Sequence, residues 1–446
     1  MLSIGLATSI VLQLTLLAAG RAEAGPNAAE LGHAGSLVSG TRFPLAAKDV
    51  AAASPPIDLG LDRRQNAGDS CGPTAGNASC GADLCCSAAG LCGTGRDFCD
   101  APACQFEYGP ACDANAVPSG ENTTSVPRPE FGSVLWGGGG VTQCSEPGTI
   151  AITYDDGPYI YTSELLDILN DNGVPATFFI TSVNLDKGGI DNESTDWPDI
   201  LLRMRDDGHQ IASHTWSHQN LNDITSAQRF DQMVKNEMAF RNVLGYFPTY
   251  MRPPYNTCLR TAGCVDDLET LGYHIIKFNV DTLDYANLTP DTIQNSKDIF
   301  SNALAGGDPA TSSFIVGNHD IHPQTVTNLT QFIIDEGKAQ GYTFKTVGDC
   351  LGDPKGNWYR DPATGNAISA AAAAKRADSA SSKNLVVARA AGTASAAAES
   401  TAAAAAAAAA SASASATAES GSSGLIALGK RLGLTVSLVN VAFVLF

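Results

Sequence analysis

Two histidines stand four residues apart in His214-Thr215-Trp216-Ser217-His218, in a chain that holds only seven histidines. On a helical turn, side chains at i and i+4 share one face with Cβ atoms ~5 to 6 Å apart, so both rings can converge on one metal ion. Taken alone, the pair reads equally well as two core or surface histidines. Its company decides the matter. Further ionisable residues gather just past short apolar runs: Asp155-Asp156-Gly157-Pro158, Arg252-Pro253-Pro254-Tyr255, Asp281 to Tyr285, and His319-Asp320. A single aspartate before Gly-Pro is ordinary turn chemistry, but a pair of them at a strand end is not.

The elements that must hold these residues alternate in period. Strand patterns fall at 149–154, 175–181, 209–213, 249–253, 274–280, 313–318 and 342–346, and helical patterns at 162–172, 198–207, 225–245, 289–305 and 325–340. Thr225 with Gln228 forms a capping box at the start of the longest helix. Strand and helix in alternation over about 200 residues predict an α/β fold, a distorted and incomplete (β/α) barrel with about seven parallel strands where a full barrel has eight. In such a barrel the reactive side chains sit past the C-terminal ends of strands, which is where five ionisable clusters fall.

Composition sets the compartment. The 446 residues carry 27 basic and 46 acidic side chains, a formal net charge of -19, which argues against nucleic acid as a partner. Residues 1–24 read as a secretory signal peptide: Met1 to Gly20 hold no charge, and Ala22-Glu23-Ala24 offers a small-x-small cleavage pattern. Sequons at Asn77, Asn122, Asn192, Asn287 and Asn328 agree with secretion, as do twelve cysteines, an even number suited to disulfides. Residues 25–70 read as a flexible arm or propeptide, 113–143 as a linker containing Gly137 to Gly140, and 356–424 as an Ala/Ser-rich stalk with nine consecutive alanines from Ala402 to Ala410. Within 425–446, the apolar run Leu432 to Phe446 follows the small residues Ser420 to Gly424, the pattern of a GPI-attachment signal. These features predict a protein at the cell surface or wall, joined to the membrane through a GPI lipid; a monomer is expected.

Residues 71–112 hold Cys71, Cys80, Cys85, Cys86, Cys92, Cys99, Cys104 and Cys112, so dense a set that bridges must replace a core. Their spacing resembles the hevein-like chitin-binding domain. The resemblance implies the pairs Cys71 to Cys86, Cys80 to Cys92, Cys85 to Cys99 and Cys104 to Cys112. It also implies a sugar site in which Ser87 matches the family's serine and Phe98 its last aromatic. Ala89 and Leu91 occupy the positions of two further aromatics, so stacking area is lost. Beyond the module, Cys258 and Cys264 would close a small loop. Cys144 and Cys350 would close one of 206 residues (350 minus 144), worth roughly 5 kcal/mol on the chain-entropy model.

Residues 144–355 resemble the polysaccharide deacetylase family, the NodB homology domain, and within it the fungal chitin deacetylases. The resemblance rests on Thr153 to Pro158, His214 to His218, Arg252 to Tyr255, Asp281 to Tyr285, and Gly317-Asn318-His319. It implies that Asp156, His214 and His218 hold one divalent ion; a carboxylate with two neutral imidazoles suits Zn²⁺, or Co²⁺. It further implies that Asp155 is the general base and His319 the general acid that protonates the leaving amine. Arg252 and Asp284 would orient and tune Asp155 and each other, the Tyr255 backbone N–H would face the oxyanion, and Tyr285 would wall the sugar groove. The expected reaction is metal-dependent hydrolysis of the acetamido group of N-acetylglucosamine in chitin. A deacetylase or esterase on another acetylated polysaccharide, and a non-catalytic wall-binding protein, are the alternatives. One position departs from the family's pattern: Gly317 stands where a leucine lines the pocket for the acetyl methyl, so either Val316 or another side chain fills that space or the pocket is wider and less selective for acetate.

Overall fold

The structure, a computed structural model, describes residues 65–368 and Ala372. The signal peptide, most of the 25–70 arm, the stalk from 369 onward apart from Ala372, and the 425–446 tail lie outside the described residues; residues 356–368, expected to open the stalk, are instead folded against the barrel, with Trp358, Tyr359 and Ile368 in its core.

Strand β1 (Thr149–Asp155) is Thr-Ile-Ala-Ile-Thr-Tyr-Asp, buried along its whole length, as a strand covered on both faces must be. Its parallel partners are β2 (Thr177–Ile180) on one side and β7 (Phe314–His319) on the other. Strands β3 (Gln210–Ser213), β4 (Tyr250–Met251), β5 (His274–Ile275), β6 (Val280–Asp281) and β8 (Thr343–Phe344) complete the sheet. Its order is β5-β4-β3-β2-β1-β7-β6, with β8 paired to the start of β1. The two edges are therefore the two halves of a single stretch, 274–281, which leaves β4 and arrives at β7. All seven expected strand segments are present, and the fifth is split in two. Between its halves the Lys277 N–H turns aside to the Val141 carbonyl (2.7 Å) and the Asn279 N–H reaches the Ile315 carbonyl (3.2 Å). The result is a curled, interrupted barrel.

Helices α1 (Thr162–Asn172), α2 (Trp197–Asp206), α3 (Ser226–Leu244), α4 (Cys264–Thr270), α5 (Ile293–Ala305) and α6 (Thr330–Ala339) pack around the sheet. The Thr225 and Gln228 capping box starts α3, and Gly245, with φ of 80°, ends it. The 325–340 pattern opens as a π-turn over Thr325–Leu329 before becoming α-helical. Helix α4 has no counterpart in the sequence reading: it is seven residues long and begins at Cys264, which is bonded to Cys258.

All six disulfides form with the pairs named above. In the 71–112 module they are the core: Cys71, Cys80, Cys86 and Cys92 are buried together beside one short hairpin, Cys85–Cys86 with Cys92–Gly93. The module is docked on the barrel. The Asp186 N–H donates to Asp100 Oδ1 (2.9 Å), Gln228 Nε2 to Glu107 Oε1 (2.5 Å) and, just past the module, Trp216 Nε1 to the Ala114 carbonyl (3.1 Å).

Residues 113–143, whose composition reads as a flexible linker, lie as a strap along the barrel. Arg128 pairs with buried Glu237 at 2.6 Å, Thr123 donates to the same carboxylate at 2.5 Å, and Trp136 packs on His274 with ring centroids 3.7 Å apart. Isolated anchors of this kind leave no periodic trace among glycines and prolines. Of the five sequon asparagines, Asn77, Asn122, Asn192 and Asn328 are exposed. Asn287 is a correction: it is buried, its amide donates to the Leu283 carbonyl (2.9 Å) and accepts from Asn295 (3.0 Å), and no room remains for a glycan.

Candidate active site

The register of the central strands assembles the site. Asp155 and His319 are cross-strand partners at the ends of β1 and β7. Ser213 pairs with Met251, so His214 and Arg252 emerge together one residue beyond that pair. Asp156 follows Asp155 with φ of 77°, and Lys187 Nζ (3.0 Å) and Asn184 Nδ2 (3.1 Å) both donate to its carbonyl oxygen.

His214 and His218 do meet, though by another route than a helical turn. Thr215 (φ 74°) and His218 (φ 57°) are both left-handed, and the chain folds back on itself so that the ring centroids lie 5.0 Å apart. His214 Nδ1 is 2.7 Å from the Arg252 carbonyl, which makes Nδ1 the protonated nitrogen and leaves Nε2 with its lone pair toward Asp156. His214 Nε2 is 3.6 Å and His218 Nε2 3.2 Å from Asp156 Oδ1. That oxygen is buried and has no hydrogen-bond donor. The three ligand atoms lie within 4.8 Å of one another. Burial resists ionisation of Asp156, yet the imidazoles of His218 and His214 outweigh it and hold the carboxyl near 2. Burial likewise pushes His214 down to about 4, so the ring is neutral at physiological pH. An orphaned carboxylate oxygen facing two imidazoles is a donor set that fits a divalent cation.

Asp155 Oδ1 accepts from Arg252 Nη1 at 2.7 Å, which also reaches Thr153 Oγ1 at 2.8 Å. The guanidinium is fully buried, with its carbon 4.1 Å from the Phe179 ring centre and 5.1 Å from that of Phe278. Asp155 Oδ2 remains, 4.0 Å from His214 Nε2.

Asp284 departs from the expected role. It serves His319 instead of Asp155: Oδ1 is 2.7 Å from His319 Nδ1, and Oδ2 accepts the His319 backbone N–H and Thr325 Oγ1, each at 2.7 Å. Burial opposes a charged ring, but Asp284 overrides it and pushes His319 up to about 10.

Asp155, Asp156, His214, His218 and His319 line one cavity of about 480 Å³, with Arg252 and Asp284 behind them. Tyr255, itself left-handed (φ 59°), sets its ring 4.8 Å from His218. The Tyr285 ring is 5.4 Å from His319, and its hydroxyl donates to Asp281 at 3.3 Å; both tyrosines are substantially exposed at the cavity mouth. In the docked module Ser87 is buried with its Oγ accepting the Leu91 N–H (3.2 Å), and Phe98 packs toward the Cys85, Cys104 and Cys112 cluster.

Three residues near the centre, Phe278, His322 and Lys187, escaped the sequence reading, and a fourth, Asp320, was read only as the neighbour of His319. Phe278 and His322 line the cavity. Lys187 supports Asp156, and buried Asp320 accepts from Thr162 Oγ1 at 2.6 Å. Burial lowers the Lys187 amine and raises the Asp320 carboxyl. Asp320 was visible as a neighbour of His319; nothing in the aperiodic 182–196 loop marks Lys187. Val316 does not fill the space beside Gly317, because it is a core residue. Phe278 does: a Cβ built on Gly317 would lie 2.6 to 3.0 Å from its ring atoms.

An Arg-held carboxylate and an Asp-paired imidazole that line one cavity with a cation site suit a hydrolase that attacks an acyl carbon. Comparison with known proteins narrows the class. Residues 142–276 match the family model for polysaccharide deacetylase, and residues 70–112 that for chitin recognition protein. The chain is 48% identical over 220 residues to a chitin deacetylase of Colletotrichum lindemuthianum, covering 49% of this chain and 86% of that protein. It is 45% identical over 247 residues to a chitin deacetylase of Pestalotiopsis sp, covering 55% and 75%. It is 31% identical over 199 residues to a peptidoglycan-N-acetylglucosamine deacetylase of Bacillus cereus, covering 44% and 66%. The chain belongs to the polysaccharide deacetylase family.

Proposed function

We propose that the protein removes the acetyl group from N-acetylglucosamine units of chitin, giving chitosan and acetate, with one divalent ion, Zn²⁺ in preference to Co²⁺, held by Asp156, His214 and His218. The observation that carries this reading is that Asp155 and His319, cross-strand partners, line one cavity with the Asp-His-His cluster. The chitin-recognition match at 70–112 and the two fungal relatives favour chitin over peptidoglycan or xylan.

A divalent ion in this cluster supplies Lewis acidity and a water-derived nucleophile at neutral pH. The side chains do the rest. Arg252 occupies Asp155 Oδ1, so Oδ2 takes the proton of the attacking water. His319 enters charged, since Asp284 keeps it protonated, and with Nδ1 engaged it donates through Nε2 to the amine nitrogen as the C–N bond breaks. An amide nitrogen leaves as the neutral amine, never as an anion, so this proton is obligatory. The exposed rings of Tyr255 and Tyr285 are placed to pack on sugar faces at the mouth. The cysteine-rich module binds the same polymer, with less aromatic surface than its family pattern has. The sequence features at both ends support delivery to the cell surface as a GPI-linked monomer.

The test is acetate release from chitin oligomers, acetylxylan and peptidoglycan by the full chain, before and after chelation and Zn²⁺ readdition. Release from chitin oligomers that vanishes in Asp155→Asn supports the proposal. Release from none of the three, with metal bound, refutes it.

A further inference from the structure

We propose that Phe278 is the acyl-seating wall of the active site, and that Gly317 is a glycine in order to make room for it. The inference rests on the deacetylase reading above and names the residue that sets acyl-chain selectivity.

Eleven residues line the catalytic cavity, among them Asp155, His218, Tyr255, Tyr285 and His319. Phe278 alone among the eleven has a side chain with no polar atom. An acyl group attacked between Asp155 and His319 has an alkyl end that cannot hydrogen bond. Placing that end against carboxylates and imidazoles would bury their polar atoms without partners, so the ring of Phe278 is its seat.

Gly317 needs its missing side chain for space and not for conformation, since it lies within β7 and its φ is outside the left-handed range. A Cβ there would lie 2.6 Å from Phe278 Cδ1, 2.9 Å from Cε1 and 3.0 Å from Cγ. Those are ring atoms, which cannot swing aside as the end of a flexible chain does. The ring is also held by the guanidinium of Arg252, whose carbon sits 5.1 Å from the Phe278 ring centre while Nη1 holds Asp155. The wall is thus moved from one strand to the next: β7 gives up its side chain, and the interrupted stretch between β5 and β6 supplies a ring in its place.

The arrangement makes a reciprocal prediction. In Phe278→Ala the pocket deepens, and the ratio of kcat/KM for N-propionyl over N-acetyl chitotetraose rises about ten-fold or more, the usual effect of one methylene in an apolar pocket. In Gly317→Leu the leucine and the ring compete for one volume, and turnover of the acetyl substrate falls. Combining the two, Gly317→Leu with Phe278→Ala, hands the wall back to β7 and returns the ratio toward the native value. A ratio depends on active molecules only, so partial misfolding of a variant does not imitate the result; Phe278→Leu provides a milder second deepening. An active native enzyme whose ratio is unmoved by both Phe278 substitutions overturns the assignment. A native enzyme that releases neither acyl group overturns the deacetylase reading beneath it.

Discussion

Replacing Asp284 by Asn removes one charge beneath His319 while keeping the size of the side chain. The native carboxylate takes the ring Nδ1–H and the backbone N–H at 2.7 Å each, and it carries the ring from 6.5 to about 10 although burial pulls the other way. A raised pKa keeps the ring protonated, and able to donate, until the pH climbs past about 10. Without the carboxylate the largest influence holding the ring charged is gone, only Asp156 and Asp155 still oppose burial, and the ring falls back toward its ordinary value of ~6.5. At about pH 8 a ring titrating at ~6.5 is only ~3% protonated, so the competent fraction drops about 30-fold, roughly 2 kcal/mol in barrier. Acetate release from a chitin oligomer by Asp284→Asn therefore falls by that factor or more at about pH 8, and much less at about pH 5.5, with the basic limb of kcat/KM displaced to lower pH. The full pH profile of both proteins is the assay. A variant that loses the same factor at every pH, its basic limb unmoved, would mean that Asp284 only braces the fold, and the proton-donor reasoning would be refuted.

Arg252→Met leaves the Asp155 carboxylate buried without its partner, and the loss in stability is about 3 to 5 kcal/mol, read as a lowered midpoint in urea; an unchanged midpoint would show that the pair is dispensable to the fold. Metal binding is checked apart from turnover by thermal unfolding: excess Zn²⁺ raises the melting temperature of the native chain, with about 2.7 kcal/mol gained at 100 times the dissociation constant, and His218→Ala abolishes most of that shift. Equal shifts in both proteins would place the ion elsewhere.

The parts of the site most legible in the sequence were those fixed by strand ends. Asp155, Asp156, Arg252 and His319 follow apolar runs whose parallel pairing leaves them little choice of position. The histidine pair was recognised by its spacing, although the geometry that brings it together depends on left-handed residues at Thr215 and His218 that a non-glycine sequence does not announce. The partner of Asp284 was misassigned because spacing does not say which neighbour an acid serves; in the folded sheet β7 lies between β1 and β6, so His319 takes Asp284 while Asp155 goes to Arg252. Long-range contacts were the least visible. The strap from 113 to 143 gains its order from Glu237 and His274, both distant in the chain, and Asn287 is buried by Leu283 and Asn295 despite sitting in a perfect acceptor motif. Gly317 could be seen as a vacancy, but its occupant could not, because Phe278 comes from a break in a strand that reads as continuous.

That break has a bearing on how this enzyme can change over evolutionary time. Around Phe278 the backbone hydrogen bonds noted here are made by neighbours, through the N–H groups of Ile276, Lys277 and Asn279. Residue 278 thus rides on a short bridge anchored at both ends. Mutation there can resculpt what the catalytic cleft accepts while the parallel ladder that presents Asp155 and His319 stays in register. Substrate range and the strand-borne catalytic pair sit on separate pieces of backbone that touch at Arg252, whose guanidinium lies against the Phe278 ring while it holds Asp155, so that contact bounds how far the first can drift.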